Sequence, residues 1–403
     1  VTVSLGFPAV PAAGAHQGAS EQVVPASRAA ASATSTAVSG SAVPPSSRAS
    51  ATPVGLGLGP IVHAGARPAA SGLVDRWNRS ATDLRISLTE RCNLRCTYCM
   101  PAEGLPTKPA AALMQADEVV RMSHIAVSLL GVRQLRFTGG EPLLRADLAS
   151  IIAACSALEP RPEVSLTTNA IGLSSRAAGL AAAGLDRINV SLDTVHAATF
   201  LEVTRRPFLE RVLDGIEKAA EAGLGPIKIN AVLLRGVNDG EAAELLAWCL
   251  ERGYQLRFIE QMPLDADHTW SRSDMVTATE IRARLTERFT LTPHDAPRDG
   301  APAELFRVFD RSGVELGTVG IIASVSEPFC ADCRRTRLTA DGRVRSCLFS
   351  HTETDLLTPM RAGASDAEVA NLWREAMWGK PAGHGLDNPD FVQPARSMSA
   401  IGG

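Results

Sequence analysis

Acidic and aromatic side chains are nearly missing from the first 70 of the 403 residues, which hold one acid, Glu21, and one aromatic ring, Phe7. Ala, Ser, Pro and Gly fill most of that stretch, and it has too little apolar surface to offset the entropy of ordering it. Residues 1–74 are therefore expected as a disordered N-terminal extension. Their acid-poor, Ser-rich character also matches a transit peptide. A solvated tail or a misassigned upstream start is the plainer reading and is preferred. Lysine is scarce everywhere, with 4 residues against 36 arginines. No apolar run approaches the roughly 18 residues of a spanning helix, so no membrane association is expected, and the cytoplasm is the expected location. A formal net charge of −3 leaves no basic bulk for nucleic acid. Cysteine is not spread as in a small disulfide framework. Six of the eight fall in two tight groups, which points to metal.

From about residue 82 short β-rich runs alternate with helical ones. Strands are expected over 84–89, 134–138, 163–168, 187–192, 227–234 and 256–260. The clearest helix is "FLERVLDGIEKAAEAG" at 208–223, with Val212, Leu213, Ile216, Ala219 and Ala220 on one face. This alternation predicts an α/β fold of parallel β/α units. Six units are too few for a closed eight-stranded barrel, so an incomplete, open TIM-like barrel is expected over 75–265. After that the alternation stops. A helix near 278–289, a hairpin around "RSG", a helix near 366–378 and a polar tail predict a C-terminal extension over 266–403.

"RCNLRCTYCMP" places Cys92, Cys96 and Cys99 just after the first strand, where β/α barrels carry their active sites. Soft thiolates select zinc, copper(I) or iron–sulfur clusters. A cubane cluster normally takes four cysteines, so three leave one iron open for a ligand. The competing reading is structural zinc with a distant fourth ligand. "CADC" and Cys347 repeat the pattern with Cys330, Cys333 and Cys347. Here a redox-active pair, or a zinc knuckle completed by His351, competes more strongly. Cys155 and Cys249 fall in apolar helices and are expected as buried small hydrophobes.

"CNLRCTYC" resembles the signature of radical S-adenosylmethionine (SAM) enzymes, and "TGGEP" (138–142) reinforces it. The stretches "DLRISLTERCNLRCTYCMP", "RFTGGEPLLR", "LTTNA", "NVSLD", "RGVND", "RFIEQMPL", "CADCRRTRLTADG" and a terminal "GG" are similar to the GTP 3′,8-cyclase family of molybdenum cofactor biosynthesis. One departure is "TTNA", where the family usually has glycine in place of Ala170.

The resemblance implies two [4Fe–4S] clusters, one on each triad, with SAM on the first and the guanine of GTP on the second. It implies SAM contacts from Tyr98, Gly140, Ser191 and Met262. It implies GTP contacts from Arg85, Arg136, Thr167 (or Thr168), Lys228, Arg335, Thr336 and Arg337. Catalytic roles fall to Arg335, Arg337, Gly402 and Gly403. Arg136 and Lys228 carry a signal of their own, because each interrupts a β-run with charge that is costly to bury alone. The implied reaction is hydrogen abstraction from C3′ of GTP followed by ring closure onto C8. Implied partners are a flavodoxin- or ferredoxin-like reductant and a downstream cyclic pyranopterin monophosphate synthase, and a homodimer is compatible with the pattern. The rival readings are another radical SAM enzyme with an auxiliary cluster and a zinc-stapled binding protein.

Overall fold

Strict alternation of polar and apolar residues builds the central sheet. In the computed structural model, which describes Arg67, residues 69–106 and residues 108–402, six parallel strands run in chain order. They are β1 (Asp83–Ser87), β2 (Gln134–Thr138), β3 (Glu163–Thr168), β4 (Arg187–Ser191), β5 (Lys228–Val232) and β6 (Gln255–Ile259). Leu84 pairs with Leu135, Ile86 with Phe137, and Arg85 with Arg136. Because side chains alternate across a strand, one sheet face is apolar and the other holds Arg85, Arg136, Asn189, Lys228, Asn230 and Arg257 in register.

The apolar face is covered by α1 (Ala116–His124), α2 (Leu148–Ser156), α3 (Ala177–Ala182), α4 (Ala197–Thr204), α5 (Leu209–Glu221) and α6 (Ala242–Glu251). Val212, Ile216 and Ala219 of α5 are buried as the periodicity predicts. Cys155 and Cys249 are fully buried on α2 and α6.

The C-terminal segment is joined to the same sheet at both edges. Helix α7 (Ala278–Thr286) leads into β7 (Thr290–Pro293), β8 (Glu304–Phe309) and β9 (Glu315–Ile322). Strands β10 (Arg335–Leu338), β11 (Arg343–Arg345) and β12 (Thr354–Asp355) follow, then α8 (Leu357–Arg361), α9 (Asp366–Trp378) and α10 (Met398–Ile401). The hairpin expected around "RSG" is β8–β9. β9 lies parallel to β6, and β10 lies parallel to β1. The result is an open twelve-stranded sheet ordered β12-β11-β10-β1-β2-β3-β4-β5-β6-β9-β8-β7. The C-terminal segment therefore supplies both flanks of the barrel.

The expected disordered extension falls mostly outside the described residues. Its last residues, however, are ordered: Leu73 is buried in the core and Val74 bridges Ser80. Leu73 anchors the chain before the first strand begins.

Candidate active site

All six clustered cysteines line one cavity on the polar face of the sheet. The first triad occupies the loop leaving β1, and the end of α4 holds that loop. Arg95 N donates to Thr204 O (3.0 Å) and Thr97 N to Val203 O (2.9 Å). The Arg205 guanidinium donates to the carbonyls of Arg95 and Met100. Cys92 Sγ accepts from Leu94 N (3.4 Å) and from Asn169 Nδ2 (3.7 Å). Burial pushes all three thiols up, Cys99 to about 12 even though the Ser399 hydroxyl and N–H both donate to it.

The glycines of "TGGEP" are required by the chain itself. Cβ atoms on Gly139 and Gly140 would lie 2.3 Å from Thr89 O and 2.2 Å from Arg91 O. Only glycine lets the two backbones meet this closely, and Gly140 N and Glu141 N each donate across the contact at 2.7 Å. The buried Glu141 carboxylate then accepts from Leu143 N, Asn169 N and Thr168 Oγ1. It locks the loops after β2 and β3 together, and burial raises its pKa to about 7.

The second triad is assembled from two loops. Cys330 and Cys333 follow β9, and Cys347 follows β11. Arg79, buried, donates to the carbonyls of Cys330, Pro381 and Ala382 and to Asp75. Burial lifts Cys330 to about 11. At Cys333 burial also opposes the thiolate, but Arg335 and Lys380 beside it prevail and bring its pKa to about 5.

Between the triads the cavity wall is strongly basic. Burial, followed by repulsion from neighbouring guanidinium groups, depresses Arg85 and Arg337, Arg337 to about 10. The same two causes hold Arg257 at about 9 and, on the same sheet face but outside the cavity lining, Lys228 at about 8. Arg136 is depressed by burial and by neighbouring arginines, with Asp83 acting against the shift. Asp83, 3.9 Å from Arg136, and Glu163 are acids among them. The Nε atoms of Arg85, Arg136 and Arg337 are buried without a hydrogen-bond partner. Burying donors unpaired is costly, so this wall is built for an anion that brings its own acceptors. Cavity acids lie elsewhere: Asp193, which burial raises to about 6, accepts from Tyr98 Oη (2.9 Å) and Val232 N.

The donor set fits iron–sulfur clusters, since each triad presents three sulfurs and no fourth protein thiolate to the cavity. Among the described residues, no three His, Cys, Asp or Glu side chains are gathered tightly enough to share a single metal ion.

Residues 86–249 match the Radical SAM superfamily, and residues 254–386 match the Molybdenum Cofactor Synthesis C family. A GTP 3′,8-cyclase of Paenarthrobacter nicotinovorans is 60% identical over 352 residues, covering 84% of this chain and 99% of that protein. One of Mycolicibacterium smegmatis is 59% identical over 344 residues, covering 84% and 95%. The chain belongs to the GTP 3′,8-cyclase family. Its fold is also found in Streptococcus suis SuiB bound to its precursor peptide SuiA, at 17% identity and a TM-score of 0.53, covering 74% of this chain and 66% of that one.

Within this family frame, most expected site residues gather in the cavity. Tyr98, Gly140, Ser191, Met262, Arg85, Arg136, Thr167, Arg335 and Arg337 all line it. Lys228 lies on the same sheet face, at the opposite, amino end of β5. Gly402 is buried at φ +73° against Ser87 and Thr138, and Gly403 lies outside the described residues. Thr168 spends its hydroxyl on Glu141 and Ala170 N, which favours Thr167 for a ligand. Ala170 sits at φ +63°, the conformation that explains glycine in the family pattern.

Thr336 is a correction. It pairs with Leu84, on the apolar face, and its Oγ1 accepts from Trp373 Nε1 of α9 at 3.0 Å. Strand alternation turns it away from the cavity between Arg335 and Arg337. Arg257 was missed, although it interrupts β6 with charge as Arg136 interrupts β2. It donates to Asn230 Oδ1 (2.9 Å) and Asn189 Oδ1 (2.7 Å), and Gly320 on β9 leaves room for its stem.

Proposed function

We propose that the chain is a radical SAM lyase that converts GTP to (8S)-3′,8-cyclo-7,8-dihydroguanosine 5′-triphosphate for molybdenum cofactor biosynthesis, using two [4Fe–4S] clusters. The observation that carries this is a single cavity with a three-thiol set at each of two places and a basic wall between them on which the Nε atoms of Arg85, Arg136 and Arg337 have no hydrogen-bond partner. Cys92, Cys96 and Cys99 would hold the first cluster, and Cys330, Cys333 and Cys347 the second. With SAM bound, the first cluster supplies a 5′-deoxyadenosyl radical. The chain's own work is placement and exclusion of solvent. Tyr98, Gly140, Ser191 and Met262 border the SAM position. Arg85, Arg136, Arg257 and Lys228, with Arg335 and Arg337, meet a triphosphate of about four negative charges through charge-assisted bonds. Thr167 faces the same space. Gly402 brings the tail against the ends of β1 and β2, and a catalytic role for Gly402 and Gly403 follows from the family resemblance. Placement dominates because reacting atoms must be held about 3–3.5 Å apart. A flavodoxin- or ferredoxin-like reductant and a cyclic pyranopterin monophosphate synthase complete the reading, in the cytoplasm, with a homodimer as the assembly to test by sedimentation.

Anaerobic reconstitution followed by turnover with SAM, dithionite and GTP tests it. About eight irons per chain, with 5′-deoxyadenosine formed only in the presence of GTP, is the expected result. SAM cleavage that ignores GTP would sink the substrate assignment, and zinc in place of iron would sink the whole reading.

A further inference from the structure

Helix α9 runs behind β10 and is docked there by the Trp373–Thr336 hydrogen bond. Its end delivers Lys380, whose own N–H caps the helix on Met377 O. This lysine is 4% exposed. Its ammonium donates to three acceptors: Arg335 O at 2.8 Å, Cys333 O at 3.2 Å and Cys333 Sγ at 3.3 Å. An ammonium has three donors and no acceptor, so the site satisfies it completely. A planar guanidinium fork cannot converge on three points around one atom. That accounts for a lysine here, in a chain with 36 arginines and 4 lysines.

Two of the three acceptors are carbonyls, which a neutral donor would serve equally well. The third is a sulfur of the second triad, and a buried positive charge there has an electrostatic consequence. Resting on the two-cluster reading above, we propose that Lys380, beside Arg335, is a charge partner of the second cluster and raises its reduction potential. Hydrogen bonds and nearby charge are the protein's main controls on cluster potential. A fixed cation beside a ligand thiolate stabilises the reduced, more negative cluster and so raises its potential. Around the first triad acids act on every thiol, Glu141 on Cys92 with Arg95 opposing it, and Asp193 on Cys96 and Cys99. The chain therefore separates the two clusters electrically, and Lys380 is a positioning and tuning residue, apart from any group that touches GTP.

The test is a redox titration of the full, reconstituted chain, with electron paramagnetic resonance separating the two clusters. Lys380→Met keeps the length of the side chain and removes the charge. Its second cluster is expected to shift to a more negative midpoint potential, or to be lost, while the first cluster keeps its potential. Lys380→Gln, a neutral donor, should behave like Lys380→Met. An unmoved second-cluster potential in Lys380→Met, or restoration of the original potential by Lys380→Gln, would overturn the proposal. Four irons in the unmodified chain would instead remove the second cluster itself, so the two failures are distinguishable.

Discussion

Thr336 and Lys228 show how far single residues can be interpreted. Thr336 lies between two cavity arginines in "CRRTR", and adjacency alone assigns it to the substrate. The two-residue strand period assigns it to the helix behind. Thr336→Val should leave the KM for GTP unchanged and lower stability by about 1–3 kcal/mol, because the buried Trp373 N–H loses its acceptor; a thermal melt beside a KM measurement checks both. Lys228 was legible because a charge inside a β-run needs a reason, and Arg257 carries the same signal. Its pKa falls from 10.5 to about 8 through burial and then repulsion from Arg257, Arg187 and Arg136. Between those values the unfolded chain holds a proton that the folded one has lost, so stability contributed by this group rises with pH across about 8 to 10.5 and is lowest below 8. Lys228→Met should therefore stabilise the free protein at pH 7, on the order of 1 kcal/mol after screening. The same change should raise the KM for GTP about tenfold or more. A lower melting temperature for the variant would refute the repulsion argument.

At the scale of elements, the loops that carry motifs were legible because their residues are neighbours in the chain. The network that seats the tail was not, because it joins distant segments. Arg396 donates to Asp341 Oδ1 (3.0 Å) and Oδ2 (2.9 Å) and pairs with Glu353 at 2.8 Å and Glu90 at 3.5 Å. Lys108 bridges Glu90 and Asp341 from the other side. The loop of the first triad, the β10–β11 hairpin and the tail thus share one ion cluster. It holds α10 where Ser399 reaches Cys99 and Gly402 meets Ser87 and Thr138. Charge-assisted bonds of this kind contribute about 1.5–3 kcal/mol each. Arg396→Gln should speed hydrogen exchange over 391–402 by roughly tenfold or more and lower kcat while leaving the KM for GTP nearly unchanged. Exchange no faster than in the unmodified chain would show that other contacts seat the tail.

For the whole molecule, the open barrel and its six strands were written in the alternation of apolar and polar residues. The flanking role of the C-terminal segment was not, since pairing partners far apart in sequence leave no local pattern. β10 covers the free edge of β1, and β9 covers that of β6. Removing residues 266–403 would uncover both edges, and exposed edges template aggregation. The 75–265 segment alone is expected in the insoluble fraction, or as large aggregates by size-exclusion chromatography; a soluble, monodisperse product would establish it as a separate folding unit. The same arrangement has a consequence in time. About 250 residues separate Ser87 from Arg335, which at about 5–20 residues per second is roughly 12–50 s of synthesis. For that interval β1 waits on the ribosome with one side open and its cysteine loop already made. Newly made chain is then at its most vulnerable, so a shortage of chaperone should cut the yield of soluble protein well before it affects the activity of each folded molecule.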